Sequence, residues 1–94
     1  MEFDAFVGRR QRVTIPCEPC FLSELAPYPG LVVHKRLPQD GKGWFISERT
    51  TGKSLLPVDA PTYNRAEIEF AVLARLQNKN ITPEYFLEIV AKAT

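Results

Sequence analysis

Leu31-Val32-Val33-His34-Lys35-Arg36-Leu37, then Pro38-Gln39-Asp40-Gly41-Lys42, then Trp44-Phe45-Ile46-Ser47-Glu48, is the stretch from which the fold is read. The first run is rich in β-branched residues and reads as a strand. The second supplies turn chemistry, and the third is the returning strand of a hairpin. Thr50-Thr51-Gly52 follows at once and offers a glycine for a left-handed turn position. Pairing Glu48 with Lys53 sets Ile46 opposite Leu55 and Phe45 opposite Leu56, so charge and apolar matching favour the same register. The expected result is a three-stranded antiparallel meander ended by Pro57 and Pro61.

Downstream, the periodicity changes from two to about 3.6. Asn64 stands three residues before Glu67, the spacing at which each side chain can accept from the other's free backbone N–H at a helix start. Ile68, Val72 and Leu76 fall on one stripe, with Ala66, Phe70 and Leu73 on a neighbouring one, giving a broad apolar arc towards the sheet. Arg65 and Glu69 split that arc as an i, i+4 pair at its edge. Gln77 to Asn80 breaks the pattern. Thr82-Pro83-Glu84 then starts a second helix with a capping hydroxyl and a proline at the first position, burying Tyr85, Phe86, Ile89, Val90 and Ala93.

Upstream, Arg9 to Ile15 ends in Arg12-Val13-Thr14-Ile15 and reads as a short strand stopped by Pro16. Residues 17–30 hold Pro19, Pro27, Pro29 and Gly30, and leave room for one helical turn around Phe21 to Leu25 in an otherwise irregular excursion. The whole chain, residues 1–94, is expected to form one α+β domain: an antiparallel β-meander of three or four strands with two C-terminal helices packed on one face.

Composition narrows the function classes. Hydrophobic residues make up 45% and charged residues 24% of the chain, which is the balance of a folded domain rather than a disordered one. The longest apolar runs fall far short of the roughly 20 residues of a membrane span. Met-Glu-Phe-Asp lacks the basic start and apolar stretch of a signal peptide, so a cytoplasmic chain without membrane contact is expected. Twelve basic and eleven acidic side chains leave no global field to draw the protein to nucleic acid. The bases gather towards the N-terminal side, at Arg9, Arg10, Arg12, Lys35, Arg36, Lys42, Arg49 and Lys53.

Several motifs invite a chemical reading. Cys17-Glu18-Pro19-Cys20 has the spacing of a shared metal or a redox pair, with three readings open: plain cytosolic thiols, a metal contact, or redox activity. A structural zinc site needs four ligands, and His34 is the only further nitrogen or sulfur donor. A strand before the pair and a helix after it would lower the thiol pKa of Cys17, but Pro27, Pro29 and Gly30 cut that helix short. Thr51-Gly52-Lys53-Ser54 imitates the end of a P-loop, yet Ser47 stands where the first glycine is required and a strand follows instead of a helix. A helix-turn-helix fails because Glu84 would face phosphates while Phe86, Ile89 and Val90 are needed for the core. His34 has no serine or acid at a spacing that makes a triad and is read as structural, and no acid and base pair assembles elsewhere. No enzyme, no cofactor and no metal are expected.

Gly43-Trp44-Phe45-Ile46-Ser47, Thr51-Gly52 and Asn64-Arg65-Ala66-Glu67-Ile68 together give a Trp-bearing hairpin followed by an amphipathic helix. This layout, over about half the chain, resembles small accessory proteins of phages and plasmids, among them anti-CRISPR and antirestriction inhibitors. The resemblance implies non-catalytic action by occupying a surface of a host nuclease complex. Many such inhibitors are acidic imitations of DNA, a pattern from which the net charge here departs. From the residues themselves, the candidate contacts are Arg9, Arg10, Arg12, Tyr28, Lys35 and Arg36, docking a partly basic surface on a larger host complex. A nucleic-acid-binding module would use the same basic strands with Trp44, Phe45 or Tyr28 as stacking rings, and a thiol or zinc protein would centre on Cys17 and Cys20.

Overall fold

In a computed structural model of the chain, which describes residues 1–6, 12–35, 43–56 and 61–93, the meander's central hairpin is present with both strands deeply buried. β4 (Leu31–Lys35) pairs antiparallel with β5 (Trp44–Glu48), so that Val33 faces Ile46 and His34 faces Phe45. The expected turn between them, residues 38–42, lies outside the described residues. Beyond β5, the Glu48 N–H donates to Lys53 O (2.9 Å) and the Leu55 N–H to Ile46 O (2.9 Å), which is the register read from the sequence. Gly52 takes the left-handed turn position, with φ of 72°. The third meander strand is shorter than expected, reduced to a single bridge between Ser47 and Ser54.

The Glu48 carboxylate, itself buried, adds a second tie at this turn: it accepts the N–H groups of Thr50 (2.9 Å) and Thr51 (2.7 Å).

Two strands appear that the sequence did not announce. β1 (Glu2–Phe6) forms an antiparallel hairpin with β2 (Arg12–Pro16), and β3 (Glu18–Pro19) adds to the outer side of β4. The architecture is therefore a two-stranded sheet and a three-stranded sheet in the order β3-β4-β5, followed by α1 (Glu67–Asn78) and α2 (Pro83–Ala93). The class is α+β, as expected. Residues directly opposite in an antiparallel pair share a face. Val33 and Ile46 join Ile68, Val72 and Leu76 of α1 in the main core, whereas Val32 packs with Phe3, Ala5 and Cys17 against the β1–β2 hairpin. Helices on one side and a hairpin on the other explain why β4 is buried from Leu31 to His34 without polar alternation.

Both helix starts follow the sequence. The Asn64 N–H donates to Glu67 Oε1 (3.1 Å) and the Glu67 N–H to Asn64 Oδ1 (2.8 Å), a reciprocal capping box; the Tyr85 N–H donates to Thr82 Oγ1 (3.1 Å). The end of α1 is a Schellman turn: Asn80 takes φ of 54°, its N–H donates to Gln77 O and the Ile81 N–H donates to Leu76 O. Apolar faces are narrower than the periodicity suggested. In α1 the stripe Ile68, Val72 and Leu76 is buried, but Ala66 and Phe70 are exposed and Leu73 is half-buried. In α2 Phe86 is buried and Val90 half-buried, while Tyr85, Ile89 and Ala93 are exposed. A short helix covers only so much of a small sheet, and the second stripe is left partly uncovered.

Candidate functional site

Glu69 was expected at the edge of α1's apolar arc; instead it is fully buried, with 0% of its surface accessible. A carboxylate moved out of water loses several kcal/mol of hydration unless charge and hydrogen bonds replace it. Here four contacts do so. The Phe21 N–H donates to both oxygens (2.7 and 2.9 Å), the Leu22 N–H to Oε1 (2.9 Å), and Arg65 Nη1 to Oε2 (2.8 Å). The Pro-rich excursion cannot satisfy these N–H groups within itself, because it is too short and too irregular to build a ladder. Glu69 thus ties residues 21 and 22 to α1, and Arg65 completes the tie by reaching Glu18 through Nε (2.9 Å).

This anchor mounts a ribbon of alternating cations and rings. Lys35 Nζ lies 5.8 Å over Trp44, the Arg65 guanidinium lies 5.7 Å over the same ring and 5.4 Å over Phe21, and Phe21 meets Phe70 edge-on at 6.3 Å. Phe21 and Phe70 are 57% and 58% exposed, an unusual outlay for two phenylalanines that touch each other. Of the expected contacts, the ribbon includes Lys35. It adds Arg65, Phe21 and Phe70, which the sequence reading had placed in an ion pair, a helical turn and a buried stripe.

The other expected residues are dispersed. Arg9, Arg10 and Arg36 lie outside the described residues. Arg12 is exposed on β2, its Nη1 donating to Thr50 O (3.4 Å), and it borders a polar cleft of about 280 Å³. Arg49 also lines that cleft, but so do Glu2 and Asp4, so cation and anion are balanced there. Tyr28 is half-buried against the main core: its hydroxyl donates to Ile81 O (2.6 Å) and its ring packs edge-on against Phe86 at 5.6 Å. It clamps the turn before α2.

His34 and Ser47 are both buried and lie diagonally across β4 and β5 with Nε2 and Oγ 2.7 Å apart. Nδ1 is 2.8 Å from Lys35 O and must donate to it, so in the neutral ring Nε2 accepts the Ser47 hydroxyl. The serine that sequence spacing did not supply is therefore present. The pair sits between Phe3 (4.9 Å from the His34 ring) and Phe45 (6.3 Å), where it joins the two layers and offers no surface to a substrate.

Cys17 and Cys20 are free thiols. Burial raises the pKa of Cys17, the opposite of the lowering that a redox role would need, and burial together with the Glu69 carboxylate pushes Cys20 up to about 12. Among the described residues no three His, Cys, Asp or Glu side chains converge on a point where a metal ion could sit. Among the described residues, no helix is long and apolar enough to cross a membrane. Set against known proteins, the chain matches no family model, no curated protein and no solved structure.

Proposed function

We propose that the protein is a non-catalytic binding module that docks on a larger protein complex through the ribbon Lys35, Trp44, Arg65, Phe21 and Phe70. The observation that carries this reading is the mounting of exposed Phe21 on the fully buried Glu69 carboxylate, with its ring edge-on to the equally exposed Phe70. Hot spots of protein interfaces are aromatic and arginine side chains held in place before the partner arrives, because ordering them on binding would subtract from affinity. Nucleic-acid stacking is supported less well: the Trp44 ring already carries Lys35 and Arg65, so it is not a free platform for a base. The resemblance to phage and plasmid accessory proteins adds a target class, a host effector that acts on nucleic acid, which the module would inhibit or modulate by occupying its surface.

The test is capture of partners from host lysate on the tagged chain, with and without nuclease, using wild type and the double variant Phe21→Ala/Phe70→Ala. A stoichiometric complex that survives nuclease, is lost in the double variant and is an effector inhibited by the wild-type chain supports the proposal. Capture that disappears with nuclease, or that the double variant retains in full, contradicts it.

A further inference from the structure

A second surface, separate from the ribbon, lies between α1 and α2. A groove of about 220 Å³ is lined by Leu55, Val72, Leu76, Ile81, Phe86 and Ile89, with Arg75 and Lys79 on its rim and no anionic residue among its lining. Arg75 stands in the last turn of α1 and Lys79 is its C-cap, its N–H donating to Arg75 O (3.2 Å), so the two cations are about one turn apart. They make no ion pair among the described residues.

The complement to this groove is on the same chain. α2 exposes Tyr85, Leu87 and Ile89 at 50%, 53% and 40%. Tyr85 and Ile89 share one flank, and next to it Glu84 and Glu88 stand four residues apart, the same spacing as the two cations. An apolar groove with a basic rim and an apolar helix flank with an acidic border, both built from one pair of helices, form a self-complementary patch of the kind a two-fold interface requires.

We propose that two copies of the chain associate about a two-fold axis, each seating the Tyr85–Ile89 flank of its α2 in the α1–α2 groove of the other, with Glu84 and Glu88 against the facing Arg75 and Lys79. One short helix per copy gives an interface at the small end of the size range, so the association is weak and reversible. It uses none of the residues of the ribbon and leaves that edge free on both copies.

Sedimentation equilibrium of the 94-residue chain, run up to about 0.3 mM because small interfaces are weak, gives the first reading, with a concentration-dependent dimer expected. Charge reversal then assigns the surface. Arg75→Glu/Lys79→Glu sets acid against acid, and Glu84→Lys/Glu88→Lys sets base against base, so each variant alone should dimerise at least about tenfold more weakly. Mixed one to one they make a heterodimer in which both contacts are again complementary, and dimerisation should return. Phe21→Ala/Phe70→Ala should leave it unchanged. A wild-type chain that stays monomeric at the highest concentration overturns the proposal without any variant, and points to a foreign acidic amphipathic segment as the occupant. A dimer that either reversal leaves intact, in variants with wild-type melting temperatures, overturns it equally.

Discussion

Two glutamates are buried in this small protein, and each organises the segment around it in a different way. Glu48 accepts the N–H groups of Thr50 and Thr51, two and three residues ahead, and closes the turn in which it stands. Glu69 accepts those of Phe21 and Leu22, 48 and 47 residues away, and binds the Pro-rich excursion to α1. The chemistry is the same, a carboxylate replacing its lost water with backbone donors. The reach is not. The local case finishes a hairpin whose register the backbone already holds, whereas the distant one supplies the carboxylate on the Phe21 and Leu22 donors and so fixes the edge that carries the proposed binding ribbon.

The contrast can be broken most severely at Glu69 itself. Glu69→Ala leaves two N–H groups and Nη1 of Arg65 without their acceptor, and truncating one partner of a buried charge pair typically costs about 3–5 kcal/mol. Glu48→Ala should cost less, about 1–3 kcal/mol, because Thr50 is exposed and water can take over part of the turn. Urea denaturation of both variants makes the comparison, and equal losses would remove the distinction drawn here.

An intermediate effect is expected at the other buried polar pair. Ser47→Ala takes away the hydroxyl that Nε2 of His34 holds between the two layers, for a loss of about 1–2 kcal/mol by thermal unfolding. A neutral result would mean that the hairpin and the sheet are joined by apolar packing alone.

Smaller still should be the effect on stability of Phe21→Ala/Phe70→Ala. Both rings are more than half exposed, so the loss is expected below about 1 kcal/mol although partner capture disappears. A large destabilisation would turn the ribbon into part of the core and remove the argument for a binding edge.

The mildest test concerns Cys20, beside the Glu69 anchor. Its pKa in the folded chain is raised, first by burial and then by Glu69, to about 12 against 9.0 for the free thiol. The folded state therefore holds the proton more tightly than the unfolded state. This contribution is full below about pH 9 and is lost as pH rises towards 12. Cys20→Ala should flatten alkaline unfolding over that window, and alkylation of wild type at pH 8 should be slow until the chain is unfolded.

What could be read from the sequence follows the same division between near and far. The Asn64 and Glu67 box, the Thr82 cap, the Gly52 turn and the pairing of Ile46 with Leu55 all depend on residues within about ten positions of one another, and all are present. The α+β class followed from them. What was not legible required knowing which segment covers which. Phe70 looked buried because its period was right, and only the absence of a layer over it leaves it exposed. His34 looked solitary because its serine sits on the neighbouring strand. Glu69 looked like half of a pair at the edge of the buried face because nothing near it in sequence announces two free N–H groups at Phe21 and Leu22. Pro19, Pro27, Pro29 and Gly30 do mark that stretch as unable to satisfy its own backbone, and that was the one available signal.

Amide hydrogen exchange at Phe21 and Leu22, in wild type and in Glu69→Gln, tests the central claim most directly. If a buried carboxylate mounts this edge, both amides exchange slowly in wild type despite lying in an irregular segment, and accelerate selectively in the variant while the amides of β4 and β5 keep their protection. Exchange of Phe21 and Leu22 at the rate of an open loop in the wild-type protein would contradict it.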